Sequence, residues 1–275
     1  MPEEVHSDYY KKSEKLLNAK KNEEAIAILK AGAEAGNMDC QYMYGSCFEK
    51  GIIVEKNIET AKEWFLKAAE QGYAQAQSLT AYYLFKKGSS DETVQNVIEW
   101  YEKAAEQNNA AALSSLGTFY LCGVGRKANI AKAFQYFKKA AKLNEPDSQY
   151  QVGYMYETGE GCLQDTMKAL IWYGRAAQQG NTEAEVKLSL FFFTGKVLEK
   201  DDEQAFLWMK SAADANEKKA MKNLGFMYEN GIGTNVDYEQ AKYWYNKAIE
   251  NGDKSAEEYL NNISSKIEQE NQNEK

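Results

Sequence analysis

The chain has 275 residues and a net charge of −8, with 44% apolar residues, 13% aromatic residues and only 2 prolines. So many aromatic rings exclude an intrinsically disordered chain. The acidic balance argues against a general nucleic-acid or anionic-membrane binder, since both need a cationic face. With 19 glycines beside 2 prolines, something other than proline punctuates the sequence.

The start, Met1 to Tyr10, is acidic and polar, with neither the basic nor the apolar region of a signal peptide. Downstream, the longest apolar run, Leu188 to Phe193, is broken by Ser189. It falls far short of the roughly 20 residues that span a bilayer. Cys40, Cys47, Cys122 and Cys162 form no CxxC pair or zinc-type spacing, and the one histidine, His6, lies far from most of them. Four cysteines in so long a chain do not make a secreted disulfide scaffold. The expectation is a reduced, cytoplasmic protein without metal or cofactor.

Residues from about Asp8 to Gly36 predict a short helix pair, with Ala25, Ile28, Leu29, Ala31 and Gly32 along its apolar stripe. From residue 40 onward the sequence repeats with a 36-residue step. Trp64, Trp100, Trp172, Trp208 and Trp244 fall in one register. Ala68-Ala69 recurs as Ala104-Ala105, Ala140-Ala141, Ala176-Ala177 and Ala212-Ala213. Upstream, Gly45, Ala81, Gly117, Gly153, Ser189 and Gly225 keep the same step, as do Phe48, Leu84, Tyr120, Tyr156, Phe192 and Tyr228.

Each unit reads as two amphipathic helices. In the first, Ala112, Leu116, Gly117 and Tyr120 share one stripe; in the second, Ala169, Trp172, Tyr173, Ala176 and Ala177 do. The small residue at position 117 and its equivalents lets a neighbouring helix approach closely. Gly51, Gly123, Gly159, Gly195 and Gly231 are expected to close the first helix. Asn57, Thr93, Asn129, Asp165, Asp201 and Asp237 are expected to cap the start of the second, with Gln204 and Gln240 completing capping boxes. Gly72, Gly180 and Gly252, or Asn108, Asn144 and Asn216, should end it. The second unit departs most from the pattern, with Ala81, Leu84 and Lys87 at three positions, so an altered loop is expected near residues 88–90. After Gly252, the stripe Ala256, Tyr259, Leu260 and Ile263 predicts a lone capping helix, with a polar tail fraying from Ser264.

The recurrent pattern A-x3-L-G-x2-Y-x2-G-x-G-x3-D-x2-K/Q-A-x2-W-Y-x-K-A-A-x2-G, clearest over 148–180 and 220–252, resembles the Sel-one-like repeat (SLR), a relative of the tetratricopeptide repeat. The resemblance implies an all-α, right-handed α/α superhelical solenoid of antiparallel helix pairs. It divides the chain into an N-terminal capping pair (1–39), six repeats (40–252) and a C-terminal capping helix with a frayed tail (253–275). Secreted relatives tie each unit with a cysteine at the second alanine of the Ala-Ala pair and another seven residues on. Here those pairs read Ala33 and Cys40, Ala69 and Ala76, Ala105 and Ala112, Ala141 and Ser148, and none is complete. Cys40 and Cys47 lie two turns apart on one helix and cannot bridge.

Three apparent chemical signatures have simpler explanations. Gly123-x-Gly125-x-x-Ala128 imitates a dinucleotide loop but follows a helix rather than a strand. Asp201-Asp202-Glu203 is a helix start, where acidic residues oppose the macrodipole. His6 has no identifiable catalytic partner and reads as a solvated side chain. No catalytic residue is assigned.

The resemblance also implies a ligand-facing stripe on the concave side of the first helices. Carried over by register, its aromatic, aliphatic and acidic members are Tyr42, Glu49, Tyr82, Phe85, Tyr150, Tyr154, Glu157, Leu190, Phe193, Phe226 and Glu229. Aromatic anchors dominate the energetics of protein interfaces, and carboxylates beside them favour a partner with exposed Lys or Arg. The expected function is a non-enzymatic scaffold or adaptor that holds a peptide, a helix or a protein surface. The partner is a protein, with a basic surface as one form; no nucleic acid and no membrane insertion are expected, and a homo-oligomer is not indicated. The alternatives are a cytoplasmic inhibitor or immunity protein against a toxin and, less favoured, a cell-wall or β-lactam hydrolase.

Overall fold

A computed structural model describes the backbone of residues 3–88 and 90–273 and the side chains of 9–88, 90–264 and 266. His6, whose side chain was expected to be solvated, and Ser89 in the altered loop lie outside that description. Among the described residues all regular structure is helical, and within each of two compact units successive helices pack against one another. The units span residues 1–143 and 144–275.

Unit 1 holds α1 (Glu3–Asn18), α2 (Asn22–Glu34), α3 (Met38–Lys50), α4 (Ile58–Glu70), α5 (Ala74–Lys87), α6 (Asp91–Glu106), α7 (Ala110–Cys122) and α8 (Ile130–Lys142). Unit 2 holds α9 (Pro146–Thr158), α10 (Thr166–Ala177), α11 (Thr182–Thr194), α12 (Asp202–Asp214), α13 (Lys218–Asn230), α14 (Tyr238–Glu250) and α15 (Ala256–Asn273). The tail expected to fray from Ser264 instead continues the backbone of α15 through Asn273.

The helix ends follow the repeat. Gly51, Gly123, Gly159, Gly195 and Gly231 close the first helices with φ between +62° and +79°, a region that costs glycine little. Asn108, Asn144 and Asn216 take the same left-handed conformation after the second helices, where Gly72, Gly180 and Gly252 stand in the other repeats. Asn57, Asn129, Asp165, Asp201 and Asp237 cap the second helices, each side chain accepting from the backbone N–H three residues on. First helices are capped in the same way by Asn37, Asn109, Glu145, Asn181 and Glu217, which the sequence reading did not single out.

Two expectations are corrected. Thr93 is not a cap: α6 starts three residues earlier than its counterparts, and Ser90 caps it by accepting from the Thr93 N–H. Neither Gln204 nor Gln240 completes a capping box. The backbone N–H groups of Asp201 and Asp237 are already donated to the carbonyls of Phe192 and Tyr228 at 3.0 Å, so the glutamine side chains have no donor left to satisfy.

The core explains the small-residue register. Phe65, Phe137, Tyr173 and Tyr245 lie flat against Gly45, Gly117, Gly153 and Gly225, and a Cβ at Gly117 would stand 2.8 Å from the Phe137 ring. Where the ring is replaced by Met209, the glycine becomes Ser189, whose hydroxyl donates to the Ala205 carbonyl at 2.6 Å. Each ring buried in this way contributes about 1.5–3 kcal/mol.

A polar ladder crosses the apolar one. Buried Gln41, Gln77 and Gln149 accept from Gln71, Gln107 and Gln179 at 2.6, 3.0 and 2.7 Å. Gln41 and Gln77 in turn donate to the Ala33 and Ala69 carbonyls. The positions change together along the chain: Leu113 accompanies Leu143, Glu185 accompanies Ala215 and Met221 accompanies Asn251.

Candidate functional site

Four of the expected partner-facing residues lie in unit 1 and seven in unit 2, and the structure sorts them into three kinds. Tyr42 and Tyr150 are half-buried packing residues. Tyr42 lies against Phe65 and Tyr73, with centroids at 5.8 and 5.0 Å, and Tyr150 lies against Tyr173 at 5.6 Å. Burial raises the pKa of Tyr73 to about 12 and also raises that of Tyr150.

The second kind is acidic. Glu157 accepts from the Tyr173 hydroxyl at 2.6 Å and from Lys187 Nζ at 2.8 Å. Glu229 accepts from Tyr245 and from Lys266, both at 2.7 Å. In the register of Glu49 the ring is Phe65, which has no hydroxyl, and Glu49 accepts instead from Tyr83 of α5 at 2.5 Å. Burial and then the facing carboxylate push the pKa values of Tyr83, Tyr173 and Tyr245 upward, so the three phenols remain donors. These glutamates therefore have internal partners and do not form the row of free acceptors expected from sequence. The sequence carries part of this signal: with Phe137 and Met209 in the facing register the equivalents of Glu157 are apolar, Leu121 and Phe193, although Phe85 accompanies Tyr101 and Glu49 accompanies Phe65.

The third kind is exposed and apolar: Tyr82, Phe85, Leu190, Phe193 and Phe226. Phe85 touches the buried Phe119, with centroids at 5.1 Å, while Tyr154 lies half-buried below Lys187. In unit 2, Leu190, Phe193 and Phe226 surround one open cavity of about 200 Å³, whose lining includes buried Met209 and Met227, with Asn223 and Ile232. The sequence reading did not select Met209, although it interrupts the ring series Phe65, Tyr101, Phe137, Tyr173 and Tyr245. A thioether at that position leaves a deformable wall where a ring would have stood.

Among the described residues no group of His, Cys, Asp and Glu could hold a metal ion. None of their helices is long and apolar enough to cross a membrane. Cys40, Cys47 and Cys122 are free thiols; burial raises the Cys40 thiol to about 11.

The fold and these surfaces define a tandem helix-pair repeat protein. The Sel1 repeat pattern matches residues 39–73, 98–109, 110–145, 146–181, 182–217 and 218–253. The interval without a match, 74–97, holds α5 and the start of α6. A Sel1 repeat protein from Oxalobacter formigenes is 32% identical, over 88% of this chain and 96% of that chain, with a TM-score of 0.75. A protective antigen of uropathogenic Escherichia coli with an SLR fold is 26% identical over 88% of this chain and 60% of that one, at 0.61. The immunity protein PA5088 from Pseudomonas aeruginosa shares the fold at 17% identity, 78% and 80% coverage and a TM-score of 0.50. No functionally curated protein matches the chain. The chain belongs to the Sel1 repeat family.

Proposed function

We propose that this protein is a non-enzymatic interaction scaffold of the cytoplasm. Unit 2 seats an apolar side chain of a protein partner between the exposed faces of α11 and α13. The observation that carries this reading is the cavity of about 200 Å³ among Leu190, Phe193 and Phe226. Three large apolar side chains, each 36–42% exposed around one recess, gain favourable free energy when a partner excludes water from it. The free thiols of Cys40, Cys47 and Cys122 support a reducing compartment.

A basic partner would have to compete for Glu49, Glu157 and Glu229 with the tyrosines and lysines already bonded to them. The cavity therefore defines the partner better than the carboxylates do. The likeness to PA5088 extends only to the fold, and an inhibitory role would need a toxin encoded beside this gene.

The test uses a photo-crosslinking amino acid at Phe226 in living cells, with Phe193→Ala as the competing variant. A discrete crosslinked protein that is lost in the variant, at unchanged helical circular dichroism, supports the reading. Crosslinking that is absent, or indifferent to Phe193→Ala, overturns it.

A further inference from the structure

The linker between the two helices of the second repeat is short: residues 88–90, where the other repeats have 51–57, 123–129, 159–165, 195–201 and 231–237. The longer linkers have a visible task. Gly125 rests on Val94 and Ile98 of α6, with Gln95 Nε2 donating to its carbonyl at 2.8 Å, and Gly233 rests on Asp202 and Phe206 of α12. These two linkers thus cover the first turn of the preceding second helix.

The same turn on α4 carries Ile58 and Lys62, and three residues are too few to cross it. What remains is a cavity of about 470 Å³ whose lining includes Lys56, Lys62, Lys86, Lys87 and Tyr82, with one carboxylate, Glu49, held by the Tyr83 hydroxyl. A second, of about 340 Å³, shares Lys62, Tyr83 and Lys87 with it and extends to Leu66, Leu84 and Trp100.

Several residues lining these cavities are more polar than most of their repeat equivalents. At the position of Lys62 the next four repeats have Ile98, Phe134, Leu170 and Phe206, and a lysine returns only in the last, at Lys242; at Lys87 the others have their closing glycine. Thr80 stands where Leu116, Val152, Leu188 and Leu224 stand. Its buried hydroxyl oxygen has no hydrogen-bond partner among the described residues, and it lines the second cavity. Lys62 is paired with Glu59 at 2.7 Å. For Lys56, Lys86 and Lys87 no carboxylate lies within ion-pair distance among the described residues. Four lysines line one recess beside two carboxylates, Glu49 and Glu59, each already bonded to a neighbour, in a chain whose net charge is −8.

We propose that this recess is a docking site for an acidic peptide segment of a protein partner. Its carboxylates pair with Lys62, Lys86 and Lys87, and an apolar side chain among them enters the pocket beside Leu66, Leu84 and Trp100. The site rests on the scaffold reading but lies wholly in unit 1 and selects the opposite charge from the basic partner the acidic composition suggested. Attraction here is local. The field of the whole chain repels a polyanion, and at physiological ionic strength it is screened beyond about 8 Å. The lysines act within that distance.

The experiment is fluorescence polarisation with the full chain and a labelled hexapeptide, Glu-Asp-Phe-Asp-Glu-Glu, set against its Gln/Asn analogue and an oligodeoxynucleotide of equal charge. Saturable binding of the acidic peptide is expected, weakened at least tenfold by Lys62→Ala with Lys87→Ala, by the amide analogue, and by raising salt from 50 to 500 mM. No binding of the acidic peptide, equal binding by the amide analogue or the lysine variant, or tighter binding of the oligonucleotide would overturn the proposal. Both lysines reach solvent, and circular dichroism checks that the variant folds. Crosslinking through Phe226 is unaffected by these lysine changes. A failed peptide titration beside intact Phe226 crosslinking therefore removes this site alone, and the reverse pattern removes the unit 2 reading alone.

Discussion

The Tyr173 hydroxyl donates to Glu157 Oε2 at 2.6 Å, and Lys187 Nζ donates to the same oxygen at 2.8 Å. A ring pressed against a glycine thus reaches past it to hold a charge at the surface. The sharing of one carboxylate by a tyrosine and a lysine recurs at Tyr245, Glu229 and Lys266. It ties the second helix of one repeat to its own first helix and, through the lysine, to the following repeat or cap.

Removing that hydroxyl alone should be costly, because a hydrogen bond to a charged group is worth about 1.5–3 kcal/mol. Tyr173→Phe is expected to destabilise unit 2 by about 2 kcal/mol while leaving the ring's packing on Gly153 intact. Glu157→Gln combined with it should cost less than the sum of the single changes, since the two share one bond. Urea denaturation of the four proteins measures the coupling; strict additivity would show that the contact does not contribute.

Glu185 breaks the glutamine ladder. It is 5% exposed, one of its oxygens has no hydrogen-bond partner among the described residues, and the other accepts from Ser211 at 2.8 Å. Burial raises its pKa above the usual 4.5, with Ser211 pulling the other way. A carboxyl whose pKa is raised on folding is most favourable below the unfolded-state value. That advantage is lost as pH rises through the folded-state value. Glu185→Gln should therefore stabilise unit 2 by about 1 kcal/mol at pH 7, and the gain should shrink as pH falls toward 4. Adding Ala215→Gln should restore the ladder partner found at Gln179. Thermal denaturation across that pH range decides the matter, and a gain that does not depend on pH would contradict the assignment.

The architecture was legible because the repeat reports one position many times over. Gly117, Gly153 and Gly225, read together, imply a close approach that none of them implies alone. The same redundancy did not extend to the surface. Register places Glu157 and Phe193 at equivalent positions, yet one is held by Tyr173 and the other lines the recess beside Met209. Their fates depend on a residue 16 positions later in the partner helix, which a reading along a single helix face does not consult. The lysine recess was hidden for a different reason. Its lysines come from α4, its flanking linker and α5, and they acquire a common site only because the 88–90 linker is too short to cover it.

The covering role of the long linkers can be tested at glycine. Gly233 has φ +67°, and a Cβ there would overlap the Asp202 carbonyl, whereas Gly252, at φ +89°, faces open space. Gly252→Ala should cost only the backbone term, about 1 kcal/mol. Gly233→Ala must in addition lift the linker off α12, and a loss of about 3 kcal/mol is expected. Comparable losses in calorimetry would mean that the linker moves aside freely, and the argument for an uncovered α4 would lose its physical basis.

The thiols offer a way to follow the opening of unit 1 by itself. Cys122 is exposed, whereas Cys40 and Cys47 are buried on α3 of unit 1, where burial raises both thiols, Cys40 to about 11. A thiolate is the reactive species, so a buried, high-pKa thiol reacts only after opening. With a chromogenic disulfide reagent at pH 8, Cys122 should react within seconds, and Cys40 and Cys47 at a rate set by unfolding of the first repeats. Tyr173→Phe, confined to unit 2, should leave the slow phase unchanged if the two units open independently, as nearest-neighbour repeat energetics predicts. Acceleration of that phase by the variant would instead show that the 275 residues open as one cooperative block.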